Sequence, residues 1–111
     1  MKYFIDESTR KQRGGSCYFE FQKGESDEVW RDDSILLHVD IFDDMKLYSL
    51  FKEGLGSFNY YGITEISAEQ WNTLYELALS KGGKTAELFS ELHEWAEECF
   101  KDNDVMVVSG I

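Results

Sequence analysis

The apolar residues of this sequence recur with two different periods, and that change of period is the strongest constraint on its fold. In residues 16–22 and 34–42, apolar and polar side chains alternate, which is typical of half-buried β-strands. In residues 71–78 and 88–99, apolar side chains recur every three or four positions, which is typical of amphipathic helices. We therefore expect one domain of the α+β class spanning residues 1–111.

The clearest helix boundary lies at Ser67. Its hydroxyl can accept a hydrogen bond from the backbone amide of Gln70, whose side chain can reach back to the Ser67 amide, as in a capping box. Gly82-Gly83 predicts the end of that helix, and the apolar spacing predicts a second helix over 86–101.

The remaining signals predict the order β-β-β-α-β-α-α-β. We expect a small, mainly antiparallel sheet, of which three or four strands pack on the helices at one face. Polar turns are predicted at 7–15 and 23–28. The predicted strands are 2–5, 16–22, 34–42, 57–66 and 105–108, and a short helix is predicted over 44–52.

Negative charge dominates the surface chemistry: 22 Asp and Glu face 11 Lys and Arg, for a net charge of -11. Such a chain repels nucleic acid and anionic lipid and is attracted to basic surfaces. Residues 24–44 hold eight acids and one base, and residues 84–104 hold seven acids and two bases. Solubility alone is one explanation, but it does not require two separate blocks, whereas a surface for a cationic partner does.

Four glutamates form a stripe along the predicted helix 86–101. At about 100° per residue they fall within roughly 60° of one another, opposite the core face. An ordinary solvated face is one interpretation of this stripe, and a docking surface for lysines and arginines is the other. The four are Glu87, Glu91, Glu94 and Glu98.

Aromatic residues lie close to the acids. Tyr60 and Tyr61 are neighbours in a predicted strand, so they are expected to point to opposite faces and one of them to be outside. Trp30, which acids flank, is expected to be exposed. Exposed rings beside carboxylates suit an interface for cationic side chains. The predicted partner-binding residues are Trp30, Asp32, Asp33, Asp40, Asp43, Asp44, Tyr60, Tyr61, Glu87, Glu91, Glu94 and Glu98.

No metal-binding motif is complete. Asp40, Asp43 and Asp44 flank the end of a predicted strand, as nuclease carboxylates do, but they lack the Asp-x-Asp-x-Asp-Gly spacing of a calcium loop. His93 and Glu97 are four residues apart on a helix without an evident third ligand. We predict neither catalysis nor a cofactor or metal, and a metal-dependent enzyme that uses the three aspartates is the alternative.

Other motifs of chemistry or targeting are also incomplete. Gly83-Lys84-Thr85 lacks the earlier glycine of a phosphate loop, because position 78 is alanine. Cys17 and Cys99 lie in apolar patterns and are expected to be buried, free thiols. No apolar run has the length of a membrane helix, and the N-terminus lacks the pattern of an export signal, so a cytoplasmic location is expected.

The run Ile66-Ser-Ala-Glu-Gln-Trp71 precedes two predicted helices and a strand that ends in Ser109-Gly-Ile111. With its small size and acidity, this half of the chain resembles the bacterial immunity proteins that neutralise toxic nucleases, including those of contact-dependent growth inhibition systems. The resemblance implies an antitoxin that forms a tight complex with a basic toxin domain and blocks its active site without catalysis. It transfers no residue roles.

In such a complex, residues 27–44 or the stripe within 87–98 would face the toxin's basic cleft, with no direct contact to nucleic acid or membrane. Two further classes of function remain open. One is a nucleic-acid mimic that inhibits a DNA- or RNA-binding protein, and the other is a subunit of a larger assembly.

Overall fold

Five strands and five helices form over residues 1–25 and 28–111, the ranges that the computed structural model describes. The predicted α+β class is confirmed, while the order of elements differs from the predicted one. The elements are β1 Ile5–Asp6, α1 Glu7–Arg13, β2 Tyr18–Lys23, β3 Ile35–His38, α2 Val39–Asp44, α3 Leu47–Leu55, β4 Ile63–Ser67, α4 Ala68–Lys81, α5 Gly83–Asp102 and β5 Val105–Ser109.

The strands form a single sheet in the order β1-β3-β2-β5-β4, and every neighbouring pair is antiparallel. Phe19 pairs with Leu37, and Phe21 pairs with Val108. Because directly paired residues share a face, these four side chains point the same way and start the apolar core. The helices α2 to α5 contribute its other large members, which include Phe42, Phe51, Trp71, Leu74, Leu88, Phe89 and Leu92.

The opposite face of β2 is buried as well, so the prediction of a half-buried strand is wrong. Glu20, on that face, is 2% exposed. Its carboxylate accepts hydrogen bonds from the amides of Trp30 and Arg31 at 2.9 and 2.8 Å and from the Ser34 hydroxyl at 2.7 Å. The guanidinium of Arg10, on α1, lies 4.1 Å from the centre of the Trp30 ring. Segment 28–34 and α1 thus cover the face that was expected to meet solvent.

The polar stretch 7–15, predicted as a turn, contains the helix α1. The carboxylate of Asp6 caps it by accepting from the Thr9 amide at 2.8 Å, and the Gly14 amide closes it on the Arg10 carbonyl at 2.8 Å. Among its residues only Glu7 is buried, where it pairs with Arg10. A helix without an apolar stripe leaves no period to detect, which explains the error.

The strand predicted over 34–42 ends early. β3 stops at His38, whose Nδ1 accepts from the Asp40 amide at 3.0 Å and so caps α2. The Val39 amide still reaches the Cys17 carbonyl at 2.9 Å. The apolar alternation continues past His38, because Val39 and Ile41 of α2 also pack against the core. The alternation therefore does not reveal where the strand ends. The next helix, predicted over 44–52, is α3 at 47–55.

In the C-terminal half the boundaries follow the sequence closely. Ser67 and Gln70 form the predicted capping box, with hydrogen bonds of 3.2 and 2.9 Å, and Gly82 ends α4. The second long helix begins at Gly83, three residues before the predicted start. By contrast, of the strand predicted over 57–66 only the last part forms, as β4.

Both cysteines were predicted to be buried, and the structure confirms this for one of them. Cys99 is buried as expected, but Cys17 is exposed, because it lies just before β2 and outside the covered part of the sheet. The polar turn predicted over 23–28 falls partly outside the described residues.

Candidate protein-binding surface

A chain of aromatic rings connects the core to the surface. Phe19 of β2 stacks on Phe42 of α2, with ring centres 3.9 Å apart, and Phe42 stacks on Phe58 at 5.7 Å. Tyr60 meets Phe19 edge-on at 5.2 Å, and Tyr48 meets Phe58 edge-on at 6.1 Å. The phenylalanines are buried and the tyrosines reach outward, so the tyrosine rings are held by the core while part of each ring contacts solvent.

The turn that carries Tyr60 and Tyr61 is fixed by the C-terminal residues. The amide of Ile111 donates to the Tyr60 carbonyl at 2.9 Å, and the amide of Gly110 donates to the Gly62 carbonyl at 2.7 Å. The two tyrosines were predicted to point to opposite faces of a strand. They lie instead in this turn, with ring centres 4.8 Å apart, and Tyr61 is 79% exposed.

Asp43 of α2 lies beside Tyr60, and two further aspartates stand on the same side of this helix. Asp40, Asp43 and Asp44 stand at positions i, i+3 and i+4 of the helix, so they project to one side, and all three are exposed. The Tyr60 hydroxyl donates to the two carboxylate oxygens of Asp43 at 3.0 and 3.2 Å. This contact joins two of the predicted partner-binding residues that lie 17 positions apart in the sequence.

A shallow depression of about 450 Å³ lies between these groups, lined by Asp43, Tyr48, Phe58, Asn59, Tyr60 and Tyr61. We call Asp40, Asp43, Asp44, Tyr48, Tyr60 and Tyr61 together the tyrosine–aspartate surface. Its ring faces and carboxylates both attract cations. The chain's own Lys52 ammonium already contacts this surface, because it lies 5.9 Å from the centre of the Tyr48 ring.

The Tyr60 hydroxyl keeps the proton that it donates to Asp43. Burial raises the pKa of Tyr60 above its usual 10.0, and the hydrogen bond to Asp43 and that carboxylate's negative charge raise it further. The phenol therefore stays a neutral donor at physiological pH. It holds the Asp43 carboxylate in one orientation while leaving oxygen lone pairs for a cationic group.

Tyr48 is the member of this surface that sequence reasoning did not select. Its side chain is 40% exposed, on the first turn of α3, and its ring lies 6.2 Å from that of Tyr60. The signal available was its position beside the apolar stripe of a helix, close after the acidic block. That signal does not distinguish an exposed residue from one at the edge of the core.

Trp30, Asp32 and Asp33 were also predicted to bind a partner, and two of them, Trp30 and Asp33, make contacts that stabilise the fold. Trp30 lies beneath Arg10, and its backbone helps bind Glu20. Asp32 is exposed, while Asp33 is within 3.5 Å of Arg31 and its carbonyl accepts from the Trp95 indole at 3.0 Å. Within the described ranges, none of these contacts reaches the tyrosine–aspartate surface.

The acidic stripe of α5 is divided between two environments. Glu91 accepts hydrogen bonds from the backbone amides of Lys2, Tyr3 and Phe4 at 2.5, 3.0 and 2.8 Å. Glu87 pairs with the Lys2 ammonium at 2.5 Å, and this hydrogen bond is the main reason why its pKa is lowered. These two glutamates thus hold the N-terminal segment.

The other half of the stripe remains open to solvent. Glu94 is exposed, and Glu98 pairs with Lys101 at 2.9 Å. Lys2, the cation that relieves the stripe at its other end, was not anticipated, because it lies 85 positions from Glu87.

His93 has a complete set of partners. Its Nδ1 accepts from the Trp71 indole at 3.0 Å, its Nε2 lies 2.6 Å from Glu97, and its ring stacks on Tyr75 with centres 4.0 Å apart. In the described parts of the chain, no three His, Cys, Asp or Glu side chains are arranged to hold a metal ion.

Among the helices formed by residues 1–25 and 28–111, none is both long enough and apolar enough to cross a bilayer.

Comparisons with known proteins give no match: no family model, curated protein or solved structure is significantly similar to this chain. Its function has to be argued from its own surface chemistry.

Proposed function

We propose that this chain is an immunity protein of the bacterial cytoplasm. In this proposal it binds a cognate basic toxin domain, a nuclease, and neutralises it by occluding its active site. The tyrosine–aspartate surface receives the toxin's lysine and arginine side chains. The hydrogen bond between Asp43 and Tyr60, at the rim of an exposed aromatic depression, is the observation that carries the proposal.

The composition of this surface supports a protein partner. Tyrosines are frequent in the energetic centres of interfaces, because they bury a large rigid ring and still offer a hydroxyl. Here the rings of Tyr48 and Tyr60 are packed against Phe58 and Phe19. Little conformational entropy is therefore lost when a partner covers them.

The charge supports a basic partner. A nuclease needs a positively charged cleft to bind phosphates, and a molecule of net charge -11 is drawn to such a cleft from a distance. Complementary charge of this kind raises the association rate, which matters when a toxin must be neutralised quickly. Asp40, Asp43 and Asp44 supply three exposed carboxylates at the site of contact.

The proposal predicts a neighbouring gene for a secreted protein with a basic C-terminal domain, and the test uses that domain. We expect the purified chain to abolish nuclease activity at equimolar concentration. Tyr61→Ala and Asp43→Asn should each weaken the complex by about tenfold or more, as substitutions at interface centres do. Binding is measured by calorimetry, and the association rate should fall as salt rises.

Matched controls distinguish the effect of this surface on binding from the effect of the total charge. Glu76→Gln, an exposed acid on α4, removes the same charge as Asp43→Asn, and Leu79→Ala removes an exposed apolar side chain of the same helix. Both should bind as the unmodified chain does. Equal losses in the controls would contradict the site, and an uninhibited nuclease would contradict the function. Binding to several unrelated basic proteins would indicate a nucleic-acid mimic instead.

A further inference from the structure

The edge strands of the sheet are β1 and β4, and they differ in how much of their length is available for pairing with another strand. β1 is only two residues long and continues directly into α1, while the segment before it is bound by Glu91. β4, at the other edge, has five residues and, among the described strands, pairs only with β5.

The hydrogen-bond pattern shows which groups of β4 point outward. The amide of Gly110 donates to the carbonyl of Gly62, so the pairs two and four residues further along the ladder also exchange hydrogen bonds. Thr64 and Ile66 therefore bond to β5. The amides and carbonyls of Ile63 and Glu65 point away from it, and within residues 1–25 and 28–111 none of them has another partner.

Space lies alongside this edge. A cavity of about 400 Å³ is lined by Ser57, Phe58, Asn59, Ile63, Thr64 and Glu65. The Asn59 amide donates to the Thr64 hydroxyl at 2.9 Å, which ties the segment before the strand to one face of β4 and leaves its outer rim open.

The edge also lacks two of the common protections against pairing, and its one charged residue, Glu65, would repel an anionic strand but not a cationic one. Proteins commonly guard an exposed edge strand with lysine or proline, and β4 contains neither. On the face that Ile63 and Glu65 share, Ile63 is 54% exposed and Glu65 is exposed. An added strand would meet one apolar and one acidic side chain there.

We propose that the β4 edge binds an extended cationic segment of a partner protein, which adds to the sheet as a further strand. Its backbone pairs with the amides and carbonyls of Ile63 and Glu65. Two residues of the added strand that are two positions apart, and so lie on one face, stand beside Glu65 and Ile63: a lysine or arginine beside Glu65 and an apolar residue beside Ile63.

Charge favours this occupant over a second copy of the chain. Two β4 strands that overlap along their full length around a two-fold axis would bring their Glu65 carboxylates together at the centre of the new pair, and like charges across a strand pair are destabilising. Each copy also carries a net charge of -11. A cationic strand turns both repulsions into attraction.

This binding site differs from the tyrosine–aspartate surface and does not depend on the toxin-binding role. The experiment therefore uses a probe and no toxin: a short peptide with the repeat Lys-Thr-Val-Thr, which places lysine and valine two residues apart on one face, added to the full ¹⁵N-labelled chain. We expect slower hydrogen exchange at the amides of Ile63 and Glu65, since these donate to the added strand. The same peptide N-methylated at every residue keeps its charge but has no amide donor on either edge and cannot pair, so it should give no protection.

Two variants of Glu65 distinguish backbone pairing from charge. Glu65→Pro removes an amide that points outward, so the β4–β5 ladder is kept, and peptide binding should fall by about tenfold or more. Glu65→Gln should weaken peptide binding only a few-fold, because it removes the charge but keeps the backbone amide. If the proline variant does not fold, Ile63→Lys serves, because lysine is tolerated on edges and repels the peptide.

The proposal is overturned by either of two results. One is the absence of protection at Ile63 and Glu65 at the highest soluble peptide concentration. The other is equal protection by the methylated peptide, which would indicate attraction by charge alone.

Discussion

At the scale of single residues, the contact between Asp43 and Tyr60 joins the acidic block to the aromatic core. An exposed carboxylate ordinarily samples several orientations, and a lysine or arginine that binds it must restrict them. Here a phenol that is partly buried by Phe19 and Phe42 restricts them in advance. This contact makes Asp43 the best-oriented of the three aspartates on α2.

This contact leads to a prediction about the pKa of Tyr60. Burial raises the pKa of Tyr60 above 10.0, and the Asp43 carboxylate raises it further because it accepts from the neutral phenol and repels the phenolate. Asp43→Asn should therefore lower that pKa, although burial will keep it from falling fully. The measurement is an NMR titration of the Tyr60 ring at alkaline pH.

Asp44→Asn is the control, because it removes the same charge from the same helix without a hydrogen bond to Tyr60. It should leave the Tyr60 pKa nearly unchanged. Equal shifts in the two variants would mean that Tyr60 senses only the net charge of α2.

Glu20 shows what alternation along one strand cannot reveal. Its position opposite Phe19 and Phe21 assigned it to solvent, which is the usual place for an acid. It is buried because segment 28–34 supplies the three donors from Trp30, Arg31 and Ser34. Nothing within 16–22 indicates that such a segment folds over the strand.

At the scale of elements, the acidic face of α5 has a structural role at its first half. Glu91 provides the acceptor for three successive amides at residues 2–4, where the chain enters β1 without a neighbouring strand on that side. A helix side chain thus completes the hydrogen bonding that a sheet partner would otherwise supply.

We predict that Glu91→Ala lowers the free energy of unfolding by about 1–3 kcal/mol, because it leaves backbone amides without an acceptor. Amide hydrogen exchange at Tyr3 and Phe4 should become faster. Urea denaturation gives the free energy and NMR gives the exchange.

Glu94→Ala tests the alternative that the stripe is only a solvated face. Glu94 is exposed on the next turn, so its loss should change the free energy of unfolding by about 0.5 kcal/mol or less. A loss for Glu91→Ala that is no larger would refute the structural role.

At the scale of the whole molecule, the C-terminal residues position the binding surface. A Cβ atom on Gly110 would lie 2.1 Å from the Tyr60 carbonyl oxygen, so the turn at 59–62 can take its position only beside a glycine. The last strand of the sheet is thereby coupled to Tyr60 and Tyr61.

Gly110→Ala should displace this turn. We expect a loss of about 1–3 kcal/mol in the free energy of unfolding, together with changed NMR shifts of the Tyr60 and Tyr61 rings and weaker toxin binding. Ile111→Ala is the control, since its backbone amide still donates to Tyr60. Unchanged tyrosine shifts in Gly110→Ala would show that the turn does not depend on this contact.

The acidity of the whole molecule is likewise divided by the fold. Some acids of the two blocks are used internally, as Glu87 and Glu91 are at the N-terminal segment. Others, on α2, remain exposed beside rings. Charge counted along the sequence predicts the sign of the partner, but the tertiary structure decides which carboxylates remain free to meet it.

The sequence alone determined the features that depend on neighbours a few residues apart. The capping box at Ser67, the end of α4 at Gly82, the long helix after it and the α+β class all follow from local hydrogen bonding and from apolar period. The negative charge and its two blocks belong to the same category.

The tertiary structure decided everything that depends on distant residues. It buried Glu20 under segment 28–34 and brought Asp43 to Tyr60. In both cases the stabilising partner lies in another element or loop, so the free energy that selects the structure is absent from any short stretch of sequence. The caps of α1 at Asp6 and of α2 at His38 are local by contrast. The candidate surface belongs to this second category, because its aspartates and tyrosines become one surface only when the turn at 59–62 packs beside α2.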